Sequence, residues 1–225
     1  MRFVLSLVLG VFLLTCHAQS LTEARDAFLK EAGDNASLYR GRLEQPYNRL
    51  LYVNLPFLYE DEEFHTGTVC FNGIIYPNVP IRLNLFTNIV TVVSPIEKKQ
   101  VIPDQNKIEY FIIDQDKFVS HDGVFMKESF AGKNLQLYTH LRYISDVEVI
   151  SGNTYKEQFA LKTSCLLCKD GIDYEVAKLK DVKKLFPERS KEIQQFAKAN
   201  RLKFNKDLRE MSLASIVQFL EKQGL

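Results

Sequence analysis

The amino-acid sequence predicts an α+β fold: a short N-terminal helix, a mainly antiparallel β meander, and a C-terminal segment of two to three helices. From Leu50 to Val176, short runs alternate between apolar and polar residues and are separated by turn signals, which is typical of strands. After Val176 the apolar residues recur at helical spacing. Strands without helices between them favour a curled sheet, a barrel or a sandwich. We therefore divide the chain into a signal peptide (1–18), a helix with a connecting segment (19–49), an antiparallel β domain (50–176) and helices docked on the sheet (177–225).

Residues 1–18 have the order of features found in a secretory signal peptide. Arg2 supplies a positive charge, an apolar run covers residues 3–14, and Ala18 offers a small residue at the cleavage position. The apolar run is shorter than the ~20 residues that a membrane-spanning helix needs. Lipidation of Cys16 is the alternative, because the sequence leading to it is similar to a bacterial lipobox. We expect an exported protein that is periplasmic, associated with the outer membrane or secreted.

The composition narrows the class of protein. The chain is 46% hydrophobic and 25% charged, which is ordinary for a globular protein and argues against disorder. Its formal net charge of +1 provides no overall attraction to nucleic acid or to anionic lipid. We therefore expect a folded protein that does not bind nucleic acid.

The predicted helices lie at the two ends of the chain. Ser20 and Glu23 form a capping box for a helix from Leu21 to Ala32, which Gly33-Asp34-Asn35 ends. At the C-terminus, Pro187 suits the first turn of one helix and Asn205 can cap another.

The clearest strand signal is a hairpin around Asn72-Gly73. These two residues tolerate the positive φ that a type I′ turn requires, and they separate the apolar runs 68–71 and 74–76. Pro77 and Pro80 cannot donate to a ladder, so we expect a bulge or a sheet edge there. Further strands are predicted at residues 81–85, 89–93, 108–113, 124–126, 135–143, 155–168 and 172–176.

Several segments resemble small secreted proteins of the Bacteroidetes. These segments are residues 67–83 with Thr87-Asn88, Lys169-Asp170-Gly171, Leu185-Phe186-Pro187, Phe196-Ala197-Lys198 and Leu202-Lys203-Phe204. The resemblance covers most of the chain after residue 18, and its motifs are turns and core positions. It implies a periplasmic or outer-membrane-associated protein of a Gram-negative bacterium. It brings no established activity, so no functional residues carry over.

Three cysteines follow the predicted cleavage site: Cys70, Cys165 and Cys168. The CxxC pair falls on a predicted strand rather than at a helix N-terminus, so redox catalysis is not favoured. Three residues of extended chain separate Cα atoms by ~10 Å, beyond disulfide reach. We interpret both thiols as strand positions, with a disulfide from Cys70 to Cys165 or to Cys168 as the alternative. No second CxxC or histidine pair completes a zinc site, and we expect no metal or cofactor.

Other candidate groups have plainer interpretations. Ser120-His121-Asp122 contains the residue types of a hydrolase triad, but neighbours in sequence do not converge in this way, and Asp122-Gly123 indicates a turn. We interpret His65 and His140 as isolated histidines, His140 on a solvated strand face. Glu60-Asp61-Glu62-Glu63 lacks the spacing of a calcium loop and is interpreted as a solvated acidic loop. Asp114-Gln115-Asp116 likewise indicates a turn.

The C-terminal segment is basic. From Lys178 onward it carries twelve Lys or Arg residues against six Asp or Glu residues. This excess could contact an anionic membrane surface peripherally, although charges interleaved with apolar positions are also usual on the solvated face of a helix.

These observations predict an exported, non-enzymatic protein with a binding or structural role in the cell envelope. Its partner would be a protein, glycan or lipid. One alternative is a carrier that holds a lipid or another apolar ligand in a barrel cavity. Another is a hydrolase that uses carboxylates from Glu60, Asp61, Glu62 and Glu63.

Overall fold

The structure is a computed structural model that describes residues 22–151 and 154–224. The predicted signal peptide and Cys16 lie outside these residues. Helix α1 occupies residues 22–32 and is followed by a 3₁₀ turn, Gly33–Asn35. The predicted N-terminal helix and its end are therefore confirmed.

Eleven strands form one sheet in which every pair of neighbours is antiparallel. The strands are β1 (Arg42–Leu43), β2 (His65–Phe71), β3 (Ile74–Asn84), β4 (Ile89–Val93), β5 (Gln100–Ile102), β6 (Ile108–Ile113), β7 (Asp116–His121), β8 (Val124–Ala131), β9 (Leu135–Ser151), β10 (Thr154–Lys169) and β11 (Ile172–Val176). Their order is β1-β5-β4-β3-β2-β6-β7-β8-β9-β10-β11. Strands β1 and β11 are the two edges, so the sheet is not closed into a barrel. The α+β prediction is confirmed, and the barrel alternative is wrong.

The β2–β3 hairpin has the turn that the sequence predicts. Asn72 and Gly73 have φ values of 51° and 76°, as a type I′ turn requires. The register then shifts opposite Gly67, and Asn78 adopts a φ of 55°. Strand β4 pairs only with residues 81–84 of β3. Pro77 and Pro80 therefore lie beside the bulge and outside the β3–β4 ladder, where no N–H is needed.

The sheet curls around its main core. The rings of Phe86, just after β3, and Phe159 of β10 have centroids 5.1 Å apart, although five strands lie between β3 and β10 in the sheet. Phe159 belongs to the main cluster of buried side chains. The cluster also contains Val69, Ile81 and Phe111 from the central strands. A flat sheet could not bring the end of β3 next to β10, because neighbouring strands are ~4.8 Å apart. The curved inner surface of the sheet therefore encloses the core.

Three helices cover the other end of the sheet. They are α2 (Leu179–Leu185), α3 (Ser190–Ala199) and α4 (Arg209–Lys222), with a 3₁₀ turn at Pro187–Arg189. A second core joins Leu137 and Leu167 of the sheet to Ile193 and Ile216 of the helices. Docked C-terminal helices were predicted and are confirmed. The predicted cap at Asn205 is wrong, since residues 206–208 form a turn and α4 begins at Arg209.

Among the described residues, no helix combines the length and apolarity needed to cross a membrane.

Candidate functional site

The acidic loop, residues 57–64, has an unusual backbone. Tyr59 and Glu60 have φ values of 65° and 60°, so two consecutive residues with side chains adopt the left-handed conformation. This conformation costs about 1–3 kcal/mol for each such residue, and it persists only where the surroundings enforce it.

Arg82 of β3 holds this loop in place. Its guanidinium lies between the rings of Phe57 and Phe64, 4.3 Å and 4.2 Å from their centroids. One terminal nitrogen donates to the carbonyl oxygen of Glu62 over 2.7 Å, and the other pairs with Glu44 at 2.5 Å. The Arg82 and Glu44 side chains are only 11% and 10% exposed, so the pair is shielded from water.

Tyr59 fixes the opposite side of the loop. Its hydroxyl donates to Asp116 over 3.1 Å, and its ring lies edge-on to the ring of His65 with 5.1 Å between centroids. Burial, followed by the charge of Asp116, raises the pKa of Tyr59. The sequence suggested that His65 is isolated, and this interpretation is wrong. Besides the contact with Tyr59, its Nε2 lies 3.2 Å from an oxygen of Asp61.

A pocket of about 390 Å³ lies between this loop and strands β7 to β10. We call it the leucine pocket because four leucines form its apolar wall. It is lined by Leu58, Tyr59, Glu60, Leu85, Asp116, Lys127, Leu141, Tyr143 and Leu161. Leu58 and Leu85 belong to the main core, and Leu141 and Leu161 pack against it. The pocket is therefore an opening in the apolar interior with polar groups on one side.

The polar groups of the leucine pocket are bonded to one another. Lys127 Nζ lies 2.9 Å from Asp116 and 3.0 Å from Glu210. Burial opposes the charge on Lys127, but these two carboxylates outweigh it and raise the pKa of the lysine. Burial also raises the pKa of Tyr143, as does its hydrogen bond to Glu60. Two carboxylates line the pocket, Asp116 and Glu60. Asp116 pairs with Lys127, whereas Glu60 forms no ion pair with any described residue.

The other side of the loop borders a second depression of about 520 Å³, the acidic cleft. It is lined by Arg49, Tyr52, Val53, Asn54, Leu55, Glu60, Asp61, Glu62 and Glu63. Arg49 forms an ion pair with Glu62, which leaves the lining with more negative than positive charge. The four carboxylates singled out in the sequence thus share one cleft, and Glu60 lines both depressions.

The segment Ser120-His121-Asp122 forms the predicted turn. Strand β7 ends at His121, and Asp122 and Gly123 have φ values of 49° and 78°. The His121 side chain nevertheless has a partner, because its Nε2 lies 2.5 Å from a carboxylate oxygen of Asp173 on β11. Its ring also packs on that of Tyr138, with 4.5 Å between centroids. Asp114-Gln115 forms the expected turn between β6 and β7.

Cys70, Cys165 and Cys168 lie in different surroundings. Cys70 is buried on β2 and donates to Glu109 over 3.4 Å, while Cys165 is buried in the second core. Cys168 is partly buried and donates to Asp173. Burial is the largest influence raising the pKa of each thiol. The two cysteines of the CxxC lie on strand β10, as predicted, and the alternative disulfide to Cys70 stays a prediction.

His140 and the basic segment complete the set of residues singled out in the sequence. His140 lies partly buried on β9, and burial, with the charge of Arg142, lowers its pKa. Most cations of the C-terminal segment are exposed on α2, α3, α4 and their connections. Peripheral membrane contact through them stays a prediction.

No protein-family model, curated protein or solved structure matches this chain. The sequence alone indicated Glu60 as a candidate residue. It did not indicate that Asp116 and Lys127 are its neighbours, or that Asp173 is the partner of His121. Glu60 lies in the loop before β2, far in sequence from β7 and β8, and three strands separate His121 of β7 from Asp173 of β11. An antiparallel meander carries no local signal of which of these segments its curl brings together.

Proposed function

We propose that this chain is an exported, non-enzymatic binding protein whose leucine pocket holds the apolar part of a small cationic amphiphile. The observation that carries this proposal is the Glu60 carboxylate, which lines a leucine-walled pocket and has no cation of its own. A ligand with an alkyl chain and an ammonium head would supply both missing partners.

The apolar wall supports the first half of this proposal. Ligand pockets are mostly apolar, with a few polar groups that fix orientation, and four leucines beside two tyrosines follow that pattern. Each buried methylene group contributes about 0.8 kcal/mol, so an alkyl chain gains affinity with its length. Because the sheet is open, such a ligand would occupy this pocket rather than the barrel cavity that the carrier alternative assumed.

The charges support the second half. Lys127 is already paired with Asp116 and Glu210, so it has no free charge to offer an anionic head group. Glu60 accepts a hydrogen bond from Tyr143 but keeps its negative charge unpaired. The neighbouring acidic cleft adds further negative charge, which raises the local concentration of cations.

Export and the cell envelope enter this proposal from the sequence. The order of charge, apolar run and small residue in residues 1–18 supports cleavage and export. The resemblance to secreted Bacteroidetes proteins supports a periplasmic or outer-membrane-associated location.

Calorimetric titration with four ligands tests the binding proposal. Octylamine, octanoate, octanol and butylamine separate the head group from the chain. We expect octylamine to bind several-fold more tightly than octanoate, because the exposed Glu60 carboxylate attracts an ammonium group and repels a carboxylate. An exposed ion pair contributes up to about 1 kcal/mol, which corresponds to roughly fivefold in affinity. Butylamine lacks four methylene groups and should bind at least about tenfold more weakly than octylamine.

Matched variants locate the site. Glu60→Gln should reduce the preference for octylamine over octanol, whereas Glu63→Gln, on the same loop but outside the leucine pocket, should leave it unchanged. Leu161→Gln should weaken all three eight-carbon ligands, and Leu50→Gln, at a side chain that is 78% exposed, should weaken none. Equal binding of octylamine and octanoate, or no binding of either, would contradict the proposal.

One observation favours the hydrolase alternative. Glu60 and Asp116 line the same pocket, and a pair of carboxylates can act as acid and base in hydrolysis. Turnover of a chromogenic ester or glycoside that Glu60→Gln abolishes and Glu63→Gln preserves would establish a hydrolase in place of a binding protein.

A further inference from the structure

A second group of polar side chains lies away from the leucine pocket, where two hairpins meet. His121 and Asp122 belong to the turn between β7 and β8, and Asp173 lies on β11. One ligand atom from each of these three residues lies within 4.8 Å of the other two. In the part of the chain that the structure describes, this is the one such group of His, Cys, Asp or Glu side chains.

Neighbouring side chains orient this group. The His121 ring packs on Tyr138, and the Cys168 thiol donates a hydrogen bond to the Asp173 carboxylate. Contacts of this kind around metal ligands fix their orientation and raise metal affinity. The three ligand residues are also partly exposed, so an ion can reach them from solvent.

We propose that His121, Asp122 and Asp173 form a binding site for a divalent transition-metal ion of the Zn²⁺ type. His121 would bind through Nε2, and each aspartate through one carboxylate oxygen. A fourth position would remain for water, since three protein ligands with an open position are common for zinc.

The spacing of the ligand atoms suits such an ion. Ligands 2.0–2.1 Å from a tetrahedral Zn²⁺ lie roughly 3.3 Å apart. The His121–Asp173 distance of 2.5 Å and the 4.8 Å limit on the group bracket that value. The three ligand atoms therefore lie within the range of distances that one ion can bridge after modest adjustment of the side chains.

The donor types select the metal. An imidazole nitrogen suits zinc, copper, nickel and iron, whereas calcium requires six to eight oxygen ligands. The segment His121-Asp122 and Asp173 are separated by about fifty residues in sequence, so the ion would join two hairpins of the sheet. A metal bound only by the folded chain stabilises it.

A different histidine provides the matched control. His65 also lies near two carboxylates, with Nε2 3.2 Å from Asp61 and Nδ1 3.8 Å from Asp114. These carboxylates lie on opposite ring nitrogens, so His65 cannot join both on a single ion. His65→Ala therefore measures what a partly exposed histidine beside aspartates contributes to zinc binding.

Calorimetric titration of the metal-free protein with ZnCl₂ tests the proposal. We expect saturable binding of a single ion, and His121→Ala or Asp173→Asn should weaken it by at least about tenfold. His65→Ala should leave the affinity unchanged, and CaCl₂ should bind far more weakly than ZnCl₂. At about a hundred times its dissociation constant, Zn²⁺ should raise the Tm by about 5–10 °C.

A measurement on the unmutated protein guards against variants that fail to fold. In ¹H–¹⁵N spectra, Zn²⁺ should shift the amide signals of His121, Asp122 and Asp173 and leave those near His65 unchanged. Absence of saturable zinc binding, or an equal loss of affinity in His65→Ala and His121→Ala, would overturn the proposal. Zinc-induced shifts centred on His65 would also overturn it.

Discussion

Tyr143 donates its backbone N–H to the carbonyl oxygen of Leu85 over 3.1 Å, although four strands separate β9 from β3 within the sheet. This hydrogen bond joins the two sides of the curl. It also places the Tyr143 side chain beside Glu60 and the Leu85 side chain in the wall of the leucine pocket. The curvature of the sheet thus completes the candidate site, because it brings residues 58–60 and Leu85 against the neighbouring strands β7 to β10.

Removal of the Arg82 charge should destabilise the fold strongly. Arg82→Met would leave Glu44, which is only 10% exposed, without its cation, and breaking such a buried pair costs about 3–5 kcal/mol. Urea denaturation of the variant measures this loss. Arg49→Met is the control. The Arg49 side chain, which pairs with Glu62, is 72% exposed, and exposed ion pairs contribute at most about 1 kcal/mol. Similar losses in both variants would contradict the role assigned to Arg82.

Glu221 should prove important for docking α4 on the sheet. Its carboxylate accepts hydrogen bonds from the backbone N–H groups of Lys133, Asn134 and Leu135, which lie between β8 and β9 or begin β9. Hydrogen bonds to a charged group contribute about 1.5–3 kcal/mol, so Glu221→Ala should lower the free energy of unfolding by about 2 kcal/mol. Gln218→Ala, at an exposed position on the same helix, should change it by less than about 0.5 kcal/mol in urea denaturation. If Glu221→Ala leaves the free energy of unfolding unchanged, the helix docks through apolar contacts alone.

Asp34 should make stability depend on pH. Burial opposes its ionisation, but N–H donation from Ile96 and Glu97, together with Ser94 and Lys99, outweighs burial and lowers its pKa. A carboxyl with a lowered pKa in the folded state stabilises the fold above its unfolded pKa of about 3.9, and that contribution is lost as the pH falls through the folded value. Urea denaturation from pH 6 downward should therefore show a smaller acid-induced loss for Asp34→Asn than for the unmodified chain. Parallel pH profiles would contradict this expectation.

The cysteines should differ in reactivity. Cys168 is partly exposed, whereas Cys70 and Cys165 are buried, and the pKa of all three thiols is raised chiefly by burial. Thiolates are the reactive species, so iodoacetamide should label Cys168 first and the other two only on unfolding. Peptide mass spectrometry gives the order. A Cys70 that resists labelling in unfolded, unreduced protein would instead support the alternative disulfide to Cys165 or Cys168.

Local sequence signals predicted the local features of the fold. The turns at Asn72-Gly73 and Asp122-Gly123 were predictable because positive φ is a property of the residues themselves. The strands of the meander and the docked helices followed from the spacing of apolar residues. Antiparallel neighbours in a meander are consecutive in sequence, so most of the pairing was predictable as well.

The candidate site was only partly predictable. Glu60 stood out as a member of an acidic run, but its left-handed backbone has no sequence signal because Tyr59 and Glu60 are not turn residues. The Arg82 contacts with Phe57 and Phe64, and the pairing of His121 with Asp173, depend on how far the sheet curls. That curvature arises from the packing of the whole core rather than from any short segment.

The most direct test of the proposed function is a nuclear Overhauser measurement between octylamine and the labelled methyl groups of the protein. We expect contacts from the octylamine chain to the methyl groups of Leu141 and Leu161, which line the leucine pocket. Contacts confined to Leu50 and Leu51, which are 78% and 54% exposed, would show surface adsorption and contradict it.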